Sequence, residues 1–256
     1  MASREQNKTQ RKSDILVAAR TLMQEPGNAA FSMRALAEQA GVSIATPYNL
    51  FGSKQAVLVA LLDNDLTEYQ AELSRLSTEG IDALFEAVAL MTRLFATEPD
   101  YYRNVFAASA DAGPELRFVI SGPRYALWKN LLRDATQAKM LDANIDPDAF
   151  AITLSQMLFA NVRDWALGFL SVEEMDARCR YGLALALSAI ATEDSRKPLK
   201  KRLRRAERDL QTQWRAALRE RLREGSLDAA ARAVLADQLK HVGIPILEQN
   251  EEETTA

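Results

Sequence analysis

Apolar residues in this 256-residue chain recur three and four positions apart over long stretches broken by few turn-formers, since it holds eight Pro and ten Gly. Alternating apolar and polar residues, the mark of a half-buried strand, are missing from these stretches. The spacing predicts an all-helical protein. With 48% hydrophobic and 26% charged residues there is ample material for a core, so neither a disordered chain nor a disulfide-stapled miniprotein is expected. A single Cys179 and a single His241 exclude an internal disulfide, a Cys/His zinc cluster and a two-histidine metal motif. Neither a signal-peptide pattern nor a run of about 18 apolar residues is seen, and the expectation is a cytoplasmic protein with no membrane span.

The breaks divide the chain into recognisable pieces. A flexible arm, 1–12, is expected to precede a first helix from about Asp14 to Glu25, capped by Ser13 and closed by Pro26-Gly27-Asn28. A second helix opens after Ser32 and carries Met33, Leu36, Ala37 and Ala40 on one face. A third begins around Ser43 to Ala45 and stops at Phe51-Gly52, and Ser53 caps a fourth that includes Leu58, Leu61, Leu62 and Tyr69. Further helices are expected near 81–97, 99–111, 114–121, 123–141, 147–170 and 172–192, separated by Pro99, Gly113-Pro114, Gly122-Pro123, Asp146-Pro147 and Ser171. The domain boundaries that follow are 13–58, 59–195 and a C-terminal extension, 196–256, ending in the acidic Glu251-Glu252-Glu253.

The net charge of −3 conceals an uneven distribution. Residues 1–60 carry +3, 61–195 carry −10, 196–224 carry +8 and 225–256 carry −4. In the basic block Leu199, Leu203, Leu210, Trp214, Leu218 and Leu222 recur at intervals of four and seven, which predicts an amphipathic helix with a cationic face. Docking of its apolar stripe on the acidic core is expected; a solvated face, a membrane surface or added DNA contact are the alternatives.

The stretch 31–51, FSMRALAEQAGVSIATPYNLF, combines a helix, a turn needing Gly41 in a left-handed conformation, and a second short helix. That is a helix-turn-helix pattern. Ala37 and Ala40 are small where the helices cross, and Leu36, Val42 and Phe51 anchor them. Ser43, Thr46, Tyr48 and Asn49 are then left on the exposed face, as groups that reach phosphates or base edges. Ser32 and Arg34 at the start of the preceding helix, and Lys54 behind the Ser53 cap, add candidate DNA contacts, the last at a helix N-terminus suited to phosphate.

With these residues in place, the segment 13–60 resembles the tetracycline-repressor (TetR) family of one-component bacterial regulators. Ala37, Ala40, Gly41, Val42, Ser43, Thr46, Tyr48, Phe51 and Lys54 agree with the family pattern; Ser32, Ile44 and Leu50 depart from it. The resemblance implies a homodimeric transcriptional regulator, usually a repressor. Its paired helix-turn-helix motifs would bind a pseudo-palindromic double-stranded DNA operator, Tyr48 would sit at the phosphate backbone, and a small-molecule effector would release the complex. It also implies dimerisation through the last two core helices, 147–170 and 172–192. Both segments are apolar around much of their circumference, and Leu154, Leu158 and Leu185 are the candidate interface residues, with deep intramolecular burial as the alternative.

Met91, Phe95, Phe106, Phe118, Tyr125, Trp128, Met157, Phe159 and Trp165 are the apolar candidates for lining an effector site. Asn161, with Arg163 and Asp164, is a polar interruption that either orients a ligand or pairs structurally. A catalytic constellation is not evident, so no enzymatic activity and no cofactor are expected. The competing reading is a helical small-molecule-binding or interaction protein whose helix-turn-helix is only structural.

Overall fold

The computed structural model describes residues 4–27, 31–110, 113–223 and 228–241. Among them the chain forms eleven helices and no strand: α1 Arg4–Gln24, α2 Met33–Gln39, α3 Ala45–Phe51, α4 Lys54–Arg75, α5 Gly80–Thr97, α6 Pro99–Ala110, α7 Gly113–Gln137, α8 Pro147–Ala166, α9 Val172–Ala189, α10 Glu193–Arg223 and α11 Ala229–His241. Met1–Leu210 forms one compact unit and Gln211–Ala256 a second. Glu251-Glu252-Glu253, expected as an acidic tail, lies outside the described residues, as do Asn28 and the side chains of Phe118 and Leu222.

Two apolar clusters organise the larger unit. The first gathers Ile15, Ala19, Leu22 and Met23 of α1, Met33 and Leu36 of α2, and Val57, Leu58, Leu61 and Leu62 of α4. Tyr101 and Val105 of α6 complete it, so the N-terminal domain borrows part of its core from the following one. The second joins Leu84, Val88 and Leu90 of α5, Trp128 and Leu132 of α7, Leu154, Leu158 and Trp165 of α8, Met175, Cys179, Leu183 and Leu187 of α9, and Leu199 of α10. Each helix turns one apolar stripe inward, and removing that surface from water supplies about 25 cal/mol per Å². Helix α4 runs unbroken through position 58 with Leu73 in the second cluster.

Helix ends follow local chemistry. Asp146 accepts hydrogen bonds from the backbone N–H groups of Asp148 and Ala149, with Pro147 as the first helical residue of α8. Ser171 and Glu174 form a reciprocal capping box on α9. After α7 the chain turns through Lys139 at φ 59°, and the backbone N–H of Met140 bonds Ala135 O at 3.0 Å. A short antiparallel bridge then pairs Leu141 with Ala191, fastening the loop before α8 to the one after α9.

Three boundaries differ from those read off the sequence. Helix α1 starts at Arg4 rather than at Ser13, so the expected flexible arm 1–12 is helical from Arg4 onward. The segment 4–13 contains neither Pro nor Gly and is rich in Arg, Glu, Gln and Lys, which favour helix even on an exposed surface. The expected break at Gly122-Pro123 does not occur, and α7 passes through Pro123. Proline removes one N–H there, but the steric restriction on the preceding residue is relaxed because Gly122 has no Cβ. Helix α10 likewise starts at Glu193, before the basic block, and accommodates Pro198.

Candidate nucleic-acid interface

The helix-turn-helix is built by α2, its turn and α3. The Ser32 hydroxyl accepts from Ala35 N–H at 3.0 Å, capping α2. Gly41 lies at φ 64°, a conformation that a side chain disfavours. The backbone N–H of Val42 returns to Ala37 O at 2.9 Å, sealing the turn. Leu36 and Ala37 are buried beneath it. In α3 Pro47 is the buried residue, so the proline that looks awkward in sequence serves as the inward anchor; so early in the helix its missing N–H has no intrahelical partner to lose.

Burying Pro47 leaves the opposite side of α3 open. Tyr48 is 50% exposed, and Ser43 and Asn49 are exposed with it. Ser43 Oγ and Thr46 Oγ1 are 3.0 Å apart, a pair that holds both hydroxyls at the start of the helix. Ile44 is also exposed, at 53%, and adds an apolar contact to an otherwise hydrogen-bonding face. Arg34 sits on the surface of α2 and bridges to Glu38 at 3.1 Å, an exposed pair of small energetic weight. The Ser53 hydroxyl caps α4 by accepting from Ala56 N–H at 3.1 Å. Lys54 follows, its Nζ 5.0 Å from the centre of the Phe31 ring. This places an ammonium beside the free N–H groups of a helix start, an anion-attracting arrangement.

The candidate effector residues are only partly brought together. Phe95 and Trp165 stack with ring centres 5.0 Å apart and planes 8° apart, Tyr102 lies 4.5 Å from Phe95, and the Arg103 guanidinium covers Trp165 at 5.3 Å. Phe106 instead pairs with Phe159 at 5.3 Å. Trp128 is core, and Met91 packs partly buried against the same cluster. Tyr125 bonds Asp148, which also pairs with Lys129; the Asp148 hydrogen bond pushes the phenol up to about 12. Met157 lies over Gly182, where a Cβ would come within 2.5 Å of its sulfur, and so belongs to the α8–α9 seam. Asn161 donates to Met157 O of its own helix at 3.0 Å, and Arg163 pairs with Asp164 at 2.9 Å.

The expected interface residues separate into two kinds. Leu154 and Leu158 are 2% and 3% exposed within the single chain, because α8 turns them onto α9 and the second cluster. Leu185 is 50% exposed on α9. Ile152 and Phe159 of α8 are 48% and 46% exposed, and their seven-residue spacing puts them on one face. This outer stripe was hidden in the sequence because α8 is apolar on both sides.

A partly buried polar junction between α1, α4 and α6 went unread in the sequence. Arg20 pairs with Asp65 at 2.7 Å and with Glu98, and its guanidinium lies 4.1 Å from the centre of the Tyr101 ring. Tyr101 donates its hydroxyl to Asp65 at 2.5 Å. Burial holds the Asp65 carboxyl above the usual range, while the Tyr101 bond and Arg20 oppose that rise. Asn104 donates to Met23 O and Glu25 O at 3.0 and 2.8 Å, closing the end of α1 against α6. The one sequence signal was Arg20 beside the apolar Ala19, Leu22 and Met23.

Comparison with known proteins gives a consistent picture. Residues 15–61 match the family described as bacterial regulatory proteins, tetR family. No curated protein matches the chain by sequence. The fold is similar to that of Thermus thermophilus FadR, a TetR-family transcriptional repressor solved with lauroyl-CoA, at TM-score 0.60 and 20% identity over 71% of this chain and 96% of that one. A TetR transcriptional regulator from Rhodococcus sp. RHA1 aligns at TM-score 0.58 and 22% identity, covering 72% and 97%. SmeT, repressor of the Stenotrophomonas maltophilia multidrug efflux pump SmeDEF, aligns at TM-score 0.57 and 18% identity, covering 72% and 92%. No described helix is long and apolar enough to cross a membrane.

Proposed function

We propose that this chain is a TetR-family transcriptional regulator, on its N-terminal segment and fold, and that it acts as a dimeric repressor that grips a pseudo-palindromic operator and lets go when a small molecule binds its core. The observation that carries the DNA reading is the division of α3 between buried Pro47 and the exposed Ser43, Tyr48 and Asn49. Pro47 is turned inside, and hydrogen-bonding groups are presented, together with Ile44, on a short helix of a size that enters a major groove. Thr46 supports Ser43, Lys54 and the α4 N-terminus take a phosphate, and Arg34 and Ser32 flank the opposite end of the motif.

The dimer would form on the outer face of α8 and α9, through Ile152, Phe159 and Leu185. Two recognition helices must be held roughly 34–36 Å apart to enter successive major grooves. An effector that favours a different spacing shifts the population away from the DNA-bound state, by no more than its differential affinity. The aromatic group of Phe95, Tyr102 and Trp165 suits a largely apolar effector. It also adjoins α6, which carries Tyr101 and Asn104 into the N-terminal domain, so a change at the aromatic group has a short path to α1.

Duplexes from the DNA flanking the chain's own gene provide the test, by gel shift at about 150 mM salt, where phosphate contacts dominate. The variant Tyr48→Ala/Lys54→Ala is expected to lose binding while keeping helicity and oligomeric state. Wild-type affinity in that variant would refute the docking geometry.

A further inference from the structure

Helix α10 carries a second charged surface that the helix-turn-helix does not use. Residues 196–208 hold eight basic residues and one acidic residue. Within the larger unit Leu199 and Ala206 are 1% and 8% exposed, and Arg202 anchors the same side by pairing with Asp82 and covering the Phe85 ring at 4.7 Å. At about 100° per residue, Lys197, Lys200, Lys201, Arg204, Arg205 and Arg208 fall within an arc of about 140°, centred opposite Leu199 and Ala206. All six are exposed. Lys197, Lys200, Lys201 and Arg204 make no ion pair among the described residues, and Arg205 reaches Asp209 at 3.9 Å. Glu193 and Asp194 lie in the first turn, before the cationic stretch.

We propose that this face binds the phosphate backbone of a nucleic-acid duplex without sequence preference, as a site distinct from the helix-turn-helix. Six cations along about 17 Å of helix meet a duplex that carries one negative charge per roughly 1.7 Å, so the charge densities are complementary over the whole patch. A lipid surface fits less well. An interfacial helix inserts an apolar face, and the side of this stretch opposite the cations is already packed on the protein through Leu199 and Ala206. The position separates the two sites. Asp82 and Phe85 lie in the first turns of α5, whereas Glu98 just beyond its other end pairs with Arg20 of α1. Those ends are about 24 Å apart along the helix, so the cationic face is remote from the side of the core that holds the N-terminal domain. The protein is thereby equipped to hold a second DNA segment, or a second stretch of one looped duplex.

The test uses the full chain carrying Tyr48→Ala/Lys54→Ala, which removes the first site, and a short random-sequence duplex titrated from about 50 to about 200 mM salt. Binding is expected to persist, with a log–log salt slope of about −5 for six phosphate contacts, and to fall to about −2 when Lys197→Gln, Lys200→Gln, Lys201→Gln and Arg204→Gln are added. The four exposed substitutions are expected to leave the melting temperature and, in the otherwise wild-type chain, operator affinity unchanged. Loss of all duplex binding in the first variant overturns the proposal, as does an unchanged slope in the second. Binding to phosphatidylserine-containing vesicles or to polyglutamate without binding to the duplex also overturns it. Failure of the helix-turn-helix reading would appear separately, as operator binding that ignores Tyr48 and Lys54.

Discussion

Replacing Arg20 with Met is the sharpest probe of how the N-terminal domain is joined to the core. Methionine keeps the apolar stem but removes the guanidinium that Asp65 and Glu98 share. The side chains of Arg20, Asp65 and Glu98 are 28%, 9% and 31% exposed. Breaking a fully buried pair costs about 3–5 kcal/mol, and the partial exposure of Arg20 and Glu98 lowers the expected loss to about 2–4 kcal/mol at neutral pH. The deficit should depend on pH. Burial already raises the Asp65 pKa, and Arg20 is among the groups holding it down, so the variant lifts it further. A carboxyl whose folded pKa is raised contributes stability below its unfolded pKa and loses that contribution as pH rises through the folded one. The gap between wild type and variant is therefore widest near pH 8 and narrows toward pH 5, by about 1.4 kcal/mol for each unit of additional shift. Urea unfolding followed by tryptophan fluorescence and far-UV circular dichroism across that range measures it. Arg20→Lys should recover part of the loss, since it restores charge without the planar fork that spans two carboxylates and stacks on Tyr101. A deficit below about 0.5 kcal/mol, or one that is the same at both ends of the range, would show that the junction is not held electrostatically.

Leu185→Glu, on the exposed face, is expected to yield a folded monomer by sedimentation. Leu158→Glu, inside the chain's own core, should instead lose several kcal/mol and cooperative melting, through a buried unpaired charge; an unchanged dimer in the first variant refutes the interface assignment. Cys179 is 0% exposed, and burial, followed by the nearby Asp176, pushes its thiol up to about 12. Iodoacetamide at about pH 8 should leave it unmodified until the chain is unfolded, and rapid labelling of the native protein contradicts that burial. Because the folded pKa is raised, this group's contribution to stability is present below its unfolded pKa and lost as pH rises toward 12.

The helix-turn-helix was legible because its determinants are local. A capped helix start at Ser32, a left-handed Gly41 and the i, i+3, i+4 spacing of Met33, Leu36 and Ala37 act within a few residues of one another, and the structure realises each. The same holds for the α8 and α9 caps. Helix continuity was less legible, since Gly122-Pro123 signals a break that α7 does not make.

By itself the sequence determined an all-helical chain, a helix-turn-helix at 31–51 with its polar face identified, and a basic block with an apolar stripe, because periodicity, capping and charge are properties of neighbouring residues. Only the tertiary structure decided which side of a doubly apolar helix faces inward. It buried Leu154 and Leu158 and left Ile152 and Phe159 outside, since that choice depends on the position of α9. It alone assembled Arg20, Asp65, Glu98, Tyr101 and Asn104 from segments as far as 81 positions apart. Burial and pairing of charge arise where helices meet, and no local pattern encodes the meeting.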